Sequence, residues 1–121
     1  MDGLYETHGH LMMDGEDFTA ARKRHQNGVD TEAVRSYLAA RHDRGVRYFR
    51  DGGDALGVSL YARSIAGEYG ITYRSPAFAI HKKGRYCGIV GRAWSDLREY
   101  RALVSEAKDA GCDFKIGRAH V

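Results

Sequence analysis

The chain has 121 residues, enough for one small domain, and a formal net charge of only +3. Its basic and acidic residues alternate, so we expect neither a nucleic-acid partner nor binding to a charged membrane surface. A helix needs about 18 apolar residues to cross a bilayer, and the chain has no run of that length. The first residues do not form a secretory signal. We therefore expect a cytoplasmic protein without a membrane partner.

Three segments repeat one pattern, in which an amphipathic helix is followed by a glycine and a short apolar strand. In chain order, the predicted helix–strand pairs are 31–44 with 46–49, 55–69 with 71–73, and 95–111 with 112–116. Asp30 or Thr31 can cap the first helix, and Gly45 suits the left-handed position that ends it. A polar segment over 13–30, with basic residues over 22–25, is predicted to be a short solvated helix in a loop, and a binding patch is the alternative.

With a first strand over 3–7, the chain has four strands that alternate with helices. This order predicts an α/β fold with a parallel sheet. An open doubly wound sheet and an eight-stranded barrel both use it, and the order alone does not choose between them. A barrel needs about 250 residues, so this chain could supply about half of one.

His8 and His10 end the first predicted strand. Residues two apart in an extended chain point to the same side, and sites in parallel α/β proteins are built at the carboxyl ends of strands. Two imidazoles at such a position suit a divalent metal ion, and zinc above all. Two surface or packing histidines are the alternative interpretation.

Two further strand ends carry candidate site residues. Arg50 and Asp51 follow the second strand and precede two glycines, where they could support a site or form a structural pair. Lys115 lies between apolar residues at the fourth strand, where a buried charge is costly. A neutral lysine can react with carbon dioxide to form a carbamate, which is an oxygen ligand for metals. A lysine at a frayed strand end is the alternative.

Taken in order, His8-x-His10 and the runs 45–53 and 111–116 resemble the amidohydrolase superfamily, in its branch of metal-dependent amidohydrolases and prolidase-like dipeptidases. The resemblance covers 2–116. It implies the N-terminal half, about four βα units, of a TIM-like (β/α)8 barrel. It also implies one or two divalent ions, usually zinc, with His8, His10 and a carboxylated Lys115 as ligands.

The activity that the resemblance implies is hydrolysis of C–N bonds in small amides, peptides or lactams, by a metal-bound hydroxide that attacks a carbonyl. Arg50 and Asp51 would support the ligands. The intact enzyme could be a homo-oligomer. The family also takes histidines from its fifth and sixth strands and an aspartate from its eighth. The chain offers no catalytic residue from those strands, so we expect this fragment itself to be inactive.

Two alternatives stay open. A metal-dependent phosphoesterase or nuclease uses the same barrel, with a carboxylate in place of Lys115 on the fourth strand. A non-catalytic α/β binding module, complete at this length, would have a covered sheet and would hold His8 and His10 apart or turned away from each other.

The last residues differ from the family pattern. The run 116–121 reads Ile-Gly-Arg-Ala-His-Val, which is the translation of a common sequencing adapter. We therefore expect a partial barrel domain over 1–116 and a non-native tail over 117–121, and we discount His120 as a ligand.

A basic segment over 80–86 is predicted to be a loop after the third strand. Loops at the carboxyl ends of barrel strands supply specificity. His81, Arg85 and Tyr86 are therefore candidates for binding a carboxylate-bearing substrate beside the metal. A solvated basic loop is the alternative.

Overall fold

The computed structural model describes residues 3–13, 18–84, 91–114 and 117–118. The strands in these ranges are Leu4–Gly9 (β1), Val46–Asp51 (β2), Thr72–Arg74 (β3), Ala79–Lys82 (β4), Gly91–Trp94 (β5) and Gly117–Arg118 (β6). The α-helices are Phe18–His25 (α1), Thr31–Asp43 (α2), Val58–Ile65 (α3) and Leu97–Asp109 (α4), and a 3₁₀ helix over Ala66–Tyr69 extends α3. None of the helices in these ranges has the length and apolar character that a bilayer crossing requires.

The strands form two sheets of three strands each within the described residues. The strand order is β1-β2-β3 in the first sheet and β5-β4-β6 in the second. Every pair in both sheets is parallel. The prediction of an α/β fold with parallel strands is therefore confirmed, while the half barrel stays a prediction.

The local signals around α2 act as the sequence predicts. Asp30 caps the helix, because its carboxylate accepts a 3.1 Å hydrogen bond from the Ala33 N–H. Gly45 adopts φ 90° and ends the helical segment. The strands on either side are longer than predicted, since β1 reaches Gly9 and β2 reaches Asp51.

Helix α3 begins at Val58, three residues later than the predicted start. Gly57 adopts φ 90°, which lies outside the right-handed helical region and delays the helix. Asp54, predicted to lie just before the helix, instead reaches over the first turn. Its carboxylate accepts hydrogen bonds from the N–H groups of Leu56 at 2.8 Å, Val58 at 3.0 Å and Ser59 at 2.7 Å.

The predicted loop over 80–86 is wrong where β4 forms. Pro76 has no N–H and Ala77 adopts φ 70°. Strand pairing therefore stops after β3 and begins again at β4. Gly91 of β5 lies opposite Ala79, and a Cβ at Gly91 would lie 2.5 Å from the Ala79 carbonyl oxygen. This close approach lets β4 and β5 pair, and no pattern in the sequence marked it.

The predicted strand over 112–116 is also wrong over 112–114, which form an irregular segment with a bend. Asp113 explains the difference. Its N–H donates to the Ser75 carbonyl at 2.7 Å, and its carboxylate accepts from the Ser75 N–H at 2.9 Å. The pairing with β4 is made further along, by Gly117 and Arg118. These two residues fall within the predicted tail.

Each sheet packs against helices through its own apolar cluster. In the first sheet, Phe49 and Tyr73 stack at 5.0 Å and face the buried side chains of α2 and α3. In the second, Phe78 and Ile80 pack against Leu103 and Ala107 of α4. The opposite face of the first sheet has no helix over it in the described chain: Arg50, Thr72 and Arg74 are exposed there.

Candidate metal centre

His8 and His10 lie together at the carboxyl end of β1. Their ring centroids are 5.3 Å apart, with the ring planes at 86°. The strand is irregular between Glu6 and Gly9, and Gly9 then lies opposite Asp51 of β2. His8 is exposed and His10 is half-buried. The two rings are therefore adjacent, and one of them is open to solvent.

The orientation of the His10 ring is fixed by a backbone carbonyl. Its Nδ1 lies 2.8 Å from the Gly53 carbonyl oxygen. A carbonyl can only accept, so Nδ1 must carry the proton, and Nε2 is left with a lone pair in the neutral ring. Gly52 makes room for this ring, because a Cβ added at Gly52 would overlap the imidazole. The glycine is needed here for space and not for its backbone freedom.

Asp51 connects the two segments that hold His10. One carboxylate oxygen accepts from the Gly53 N–H at 2.7 Å, and the other accepts from the Leu11 N–H at 3.4 Å and from the Tyr73 hydroxyl. The side chain is only 1% exposed. Burial raises the pKa of Asp51, and the hydrogen bonds from Tyr73 and Gly53 and the nearby His10 oppose that rise.

The segment after β2 is held in place from several sides. The Gly52 N–H donates to the Gly9 carbonyl at 2.6 Å, which continues the pairing of β1 and β2. Gly53 adopts φ 89°, and a Cβ there would lie 2.9 Å from the Phe78 Cα. The Asp54 N–H donates to the Ala77 carbonyl at 3.3 Å. The carbonyl that orients His10 is therefore part of a packed and hydrogen-bonded turn.

Asp54 is the second buried carboxylate of this turn, and its function is to cap α3. Burial raises its pKa, while the hydrogen bond from the Ser59 N–H opposes the rise and the neighbouring Asp51 adds to it. All three of its hydrogen bonds go to α3 and the residues before it. Asp54 was not a predicted site residue, and its bonds give it no direct part in the histidine pair.

The remaining predicted metal ligand, Lys115, lies outside the described residues. Within the described ranges, no group of three or more His, Cys, Asp or Glu side chains is arranged to hold a metal ion. Within the described residues, the candidate centre consists of the histidine pair and the groups that orient it.

Arg50 and Asp51 are neighbours in sequence, but their side chains lie on opposite faces of the first sheet. Asp51 supports the His10 segment, whereas the Arg50 guanidinium carbon lies 4.4 Å from the centroid of the Phe114 ring. Of the two residues predicted to support the ligands, only Asp51 is hydrogen-bonded to the segment that carries His10.

His81 lies in β4 and is 5% exposed, and its Nδ1 has no hydrogen-bond partner among the described residues. No described hydrogen bond or ring contact joins it to His8 or His10. The other two residues predicted to bind substrate, Arg85 and Tyr86, lie outside the described residues.

Sequence reasoning missed two residues that shape the centre. Tyr73 donates to Asp51 from β3, and Gly52 admits the His10 ring. The glycine pair after a strand was a usable signal for close approach, although it did not identify His10 as the neighbour. Nothing in the sequence paired Tyr73 with Asp51, since that contact depends on the register of β2 and β3.

Comparisons of the chain with models of protein families, with curated proteins and with solved structures found no match. The assignment of a function therefore depends on the residues and their geometry.

Proposed function

We propose that this chain contributes the first-strand metal ligands of a metal-dependent hydrolase that cleaves C–N bonds. The observation that carries the proposal is the oriented histidine pair, in which His8 and His10 lie 5.3 Å apart and His10 is bonded through Nδ1 to the Gly53 carbonyl.

The ring separation fits two ligands of one ion. A zinc ion lies about 2.0–2.1 Å from each ligating ring nitrogen, and the ring centre lies roughly 1 Å further on. For a tetrahedral ion, the two ring centres are then about 5 Å apart. The separation between His8 and His10 agrees with this value.

The hydrogen bond to Gly53 is of the kind that metal ligands make. A ligating histidine usually donates its other ring N–H to a carboxylate or a backbone carbonyl, which fixes the tautomer and the ring. Here Nδ1 donates and Nε2 keeps its lone pair. Asp51 extends the arrangement, because it bonds the N–H of Gly53 and the N–H of Leu11.

A divalent ion in such a centre supplies Lewis acidity toward a carbonyl oxygen and toward water. His8 and His10 would hold it through neutral ring nitrogens. Lys115, as a carbamate, is the proposed third ligand. Asp51, with Tyr73, would hold the histidine-bearing end of β1 against the turn at Gly53.

The binding-module alternative predicts separated histidines and a covered sheet. The adjacent rings of His8 and His10 and the exposed Arg50 and Arg74 favour the hydrolase instead. The phosphoesterase alternative uses a carboxylate, and not Lys115, as the metal ligand on the fourth strand. The Lys115→Ala variant therefore tests it.

The hydrolase activity is tested on the full-length gene product with N-acyl amino acids, dipeptides and a phosphodiester as substrates. We expect amide cleavage that a chelator abolishes, zinc restores, and His8→Ala reduces by at least about a hundredfold. Lys115→Ala should also lose activity. Cleavage of the phosphodiester alone, or amide cleavage that survives both chelation and His8→Ala, would refute the proposal.

A further inference from the structure

Two arginines lie side by side at the carboxyl ends of β2 and β3. Arg50 and Arg74 are paired across the two strands, and both are exposed on the face that no helix covers in the described chain. Like charges directly opposite each other on one face of a sheet are unfavourable. An anion bound by both side chains would relieve this repulsion.

The described chain supplies little negative charge to this pair. Arg50 has no carboxylate partner there, and its guanidinium lies over the Phe114 ring at 4.4 Å. Arg74 has only a 3.7 Å contact with an oxygen of Asp113. That carboxylate is already bonded by Arg63 at 2.6 and 2.8 Å and by the Ser75 N–H at 2.9 Å.

The register of the sheet places the arginines beside the candidate metal centre. Gly9 and Asp51 are partners across β1 and β2, and the Asp51 side chain is buried on the helix-covered side. Because alternate residues of an extended chain point to the same face, Arg50 lies on the side of Gly52, whose Cβ position meets the His10 ring. The His8 ring packs against that of His10, so it lies on this side as well. His8, Arg50 and Arg74 thus follow one another across the carboxyl edge of three adjacent strands.

We propose that Arg50 and Arg74 form an anion-binding site for the carboxylate of the substrate, next to the histidine pair. This inference rests on the proposed function. It adds Arg50 and Arg74 to the residues predicted to bind the substrate carboxylate, which are His81, Arg85 and Tyr86. A guanidinium lying over an aromatic ring keeps the N–H groups at its edge available, so Arg50 can still bind a carboxylate with two parallel hydrogen bonds. The substrate class is an amide with a free carboxylate, such as an N-acyl amino acid.

The test measures anion binding in the metal-free chain, so that it does not depend on the metal centre. The 121-residue protein is titrated in the presence of EDTA with N-acetylglycine, with its neutral amide and with inorganic phosphate, and binding is followed by NMR. The variants are Arg50→Gln and Arg74→Gln. Arg92→Gln is the matched control, because the Arg92 side chain is 42% exposed, against 51% for Arg74, and lies over the Phe78 ring at 5.2 Å.

We expect N-acetylglycine to bind more tightly than its amide, and each of Arg50→Gln and Arg74→Gln to weaken it at least about tenfold. Arg92→Gln should have no effect, and Arg50→Lys should recover only part of the affinity. Equal binding of the acid and the amide, or binding unchanged in both variants, would overturn the inference, and so would binding of phosphate alone. Failure of the proposed function would appear separately, as absence of zinc binding while the carboxylate still binds.

Discussion

The Nδ1–H of His10 donates a 2.8 Å hydrogen bond to the carbonyl oxygen of Gly53, 43 residues further along the chain. This bond joins the ends of two parallel strands through a side chain that is itself a candidate ligand. It also determines which ring nitrogen remains available for a metal.

Gly52→Ala should disturb His10 selectively. The added Cβ would overlap the imidazole, whereas the Gly52 backbone needs no left-handed conformation. We expect the ring to move and to lose its bond to Gly53, with a loss of unfolding free energy of only about 1 kcal/mol. The ¹⁵N shifts of the His10 ring should then report a mixture of tautomers. Gly67→Ala is the control, because nothing lies within 4 Å of its Cβ position. An unchanged His10 spectrum in Gly52→Ala would contradict the prediction.

Asp51→Ala should be strongly destabilising. It would leave the buried N–H of Gly53, the N–H of Leu11 and the Tyr73 hydroxyl without their acceptor. Each buried group left unpaired costs about 1–3 kcal/mol, so we expect a loss of at least about 3 kcal/mol in urea unfolding. Tyr73→Phe removes one donor and should cost less than half as much. Equal losses in the two variants would show that Asp51 does not connect the three groups.

The register of the strands explains why this network was only partly predictable. Composition and periodicity were sufficient to predict α2 and to narrow its cap to Asp30 or Thr31, because those depend on neighbours in sequence. The partners of Asp51 come from β1, β3 and its own turn, so they depend on how the strands pair. The motif at Arg50 and Asp51 gave no means of separating the two side chains onto opposite faces.

The errors have a similar origin. The sequence of β4 favours a loop because its short run holds His81 and Lys82. Its pairing with β5 is made possible by the close approach at Gly91. The apolar neighbours of Asp113 favour a strand. Its carboxylate instead forms a clamp on Ser75 and Arg63, which outweighs the local strand preference.

This clamp should be worth more than an ordinary surface ion pair. Asp113 is 12% exposed and bonds both Arg63 and the Ser75 N–H. We expect Asp113→Asn to lower the unfolding free energy by about 1–3 kcal/mol. Glu106→Gln, which breaks the exposed pair with Arg92, should cost less than about 1 kcal/mol.

The same clamp predicts a response to acid. The hydrogen bond from Arg63 is the main cause of a pKa of Asp113 below its ordinary 3.8. Its contribution is therefore complete above about pH 3.8 and is lost as the pH falls through the lower pKa of the folded state. In Asp113→Asn the stability should fall less steeply over that range. A parallel fall in both proteins would contradict the assignment.

His25 should make the fold sensitive to mildly acidic pH. It is 1% exposed, and its Nδ1 accepts a 3.0 Å hydrogen bond from the N–H of Asp30, the residue that caps α2. Protonation of Nδ1 would break that bond. Burial lowers the pKa of His25 below the ordinary 6.5, with Arg24 adding to this and Asp30 and Asp54 opposing it.

Because the unfolded chain binds this proton more readily, the contribution of His25 is complete above about pH 6.5 and is lost as the pH falls below it. Urea unfolding of the wild type between pH 8 and pH 5 should show this loss. His25→Phe should be less stable at pH 8 but should lose less on acidification. An equal loss in both proteins would assign the pH dependence to other groups.

The most direct test of the proposed centre is a calorimetric titration of the chelator-treated chain with zinc. We predict one site, weakened at least about tenfold by His8→Ala and by His10→Ala, a change of about 1.4 kcal/mol. His42→Ala is the matched control, since the His42 Nδ1 also bonds a backbone carbonyl, that of Tyr69 at 2.7 Å. It should leave zinc binding unchanged. No binding by the wild type, or an equal affinity in all four proteins, would contradict the proposed metal centre.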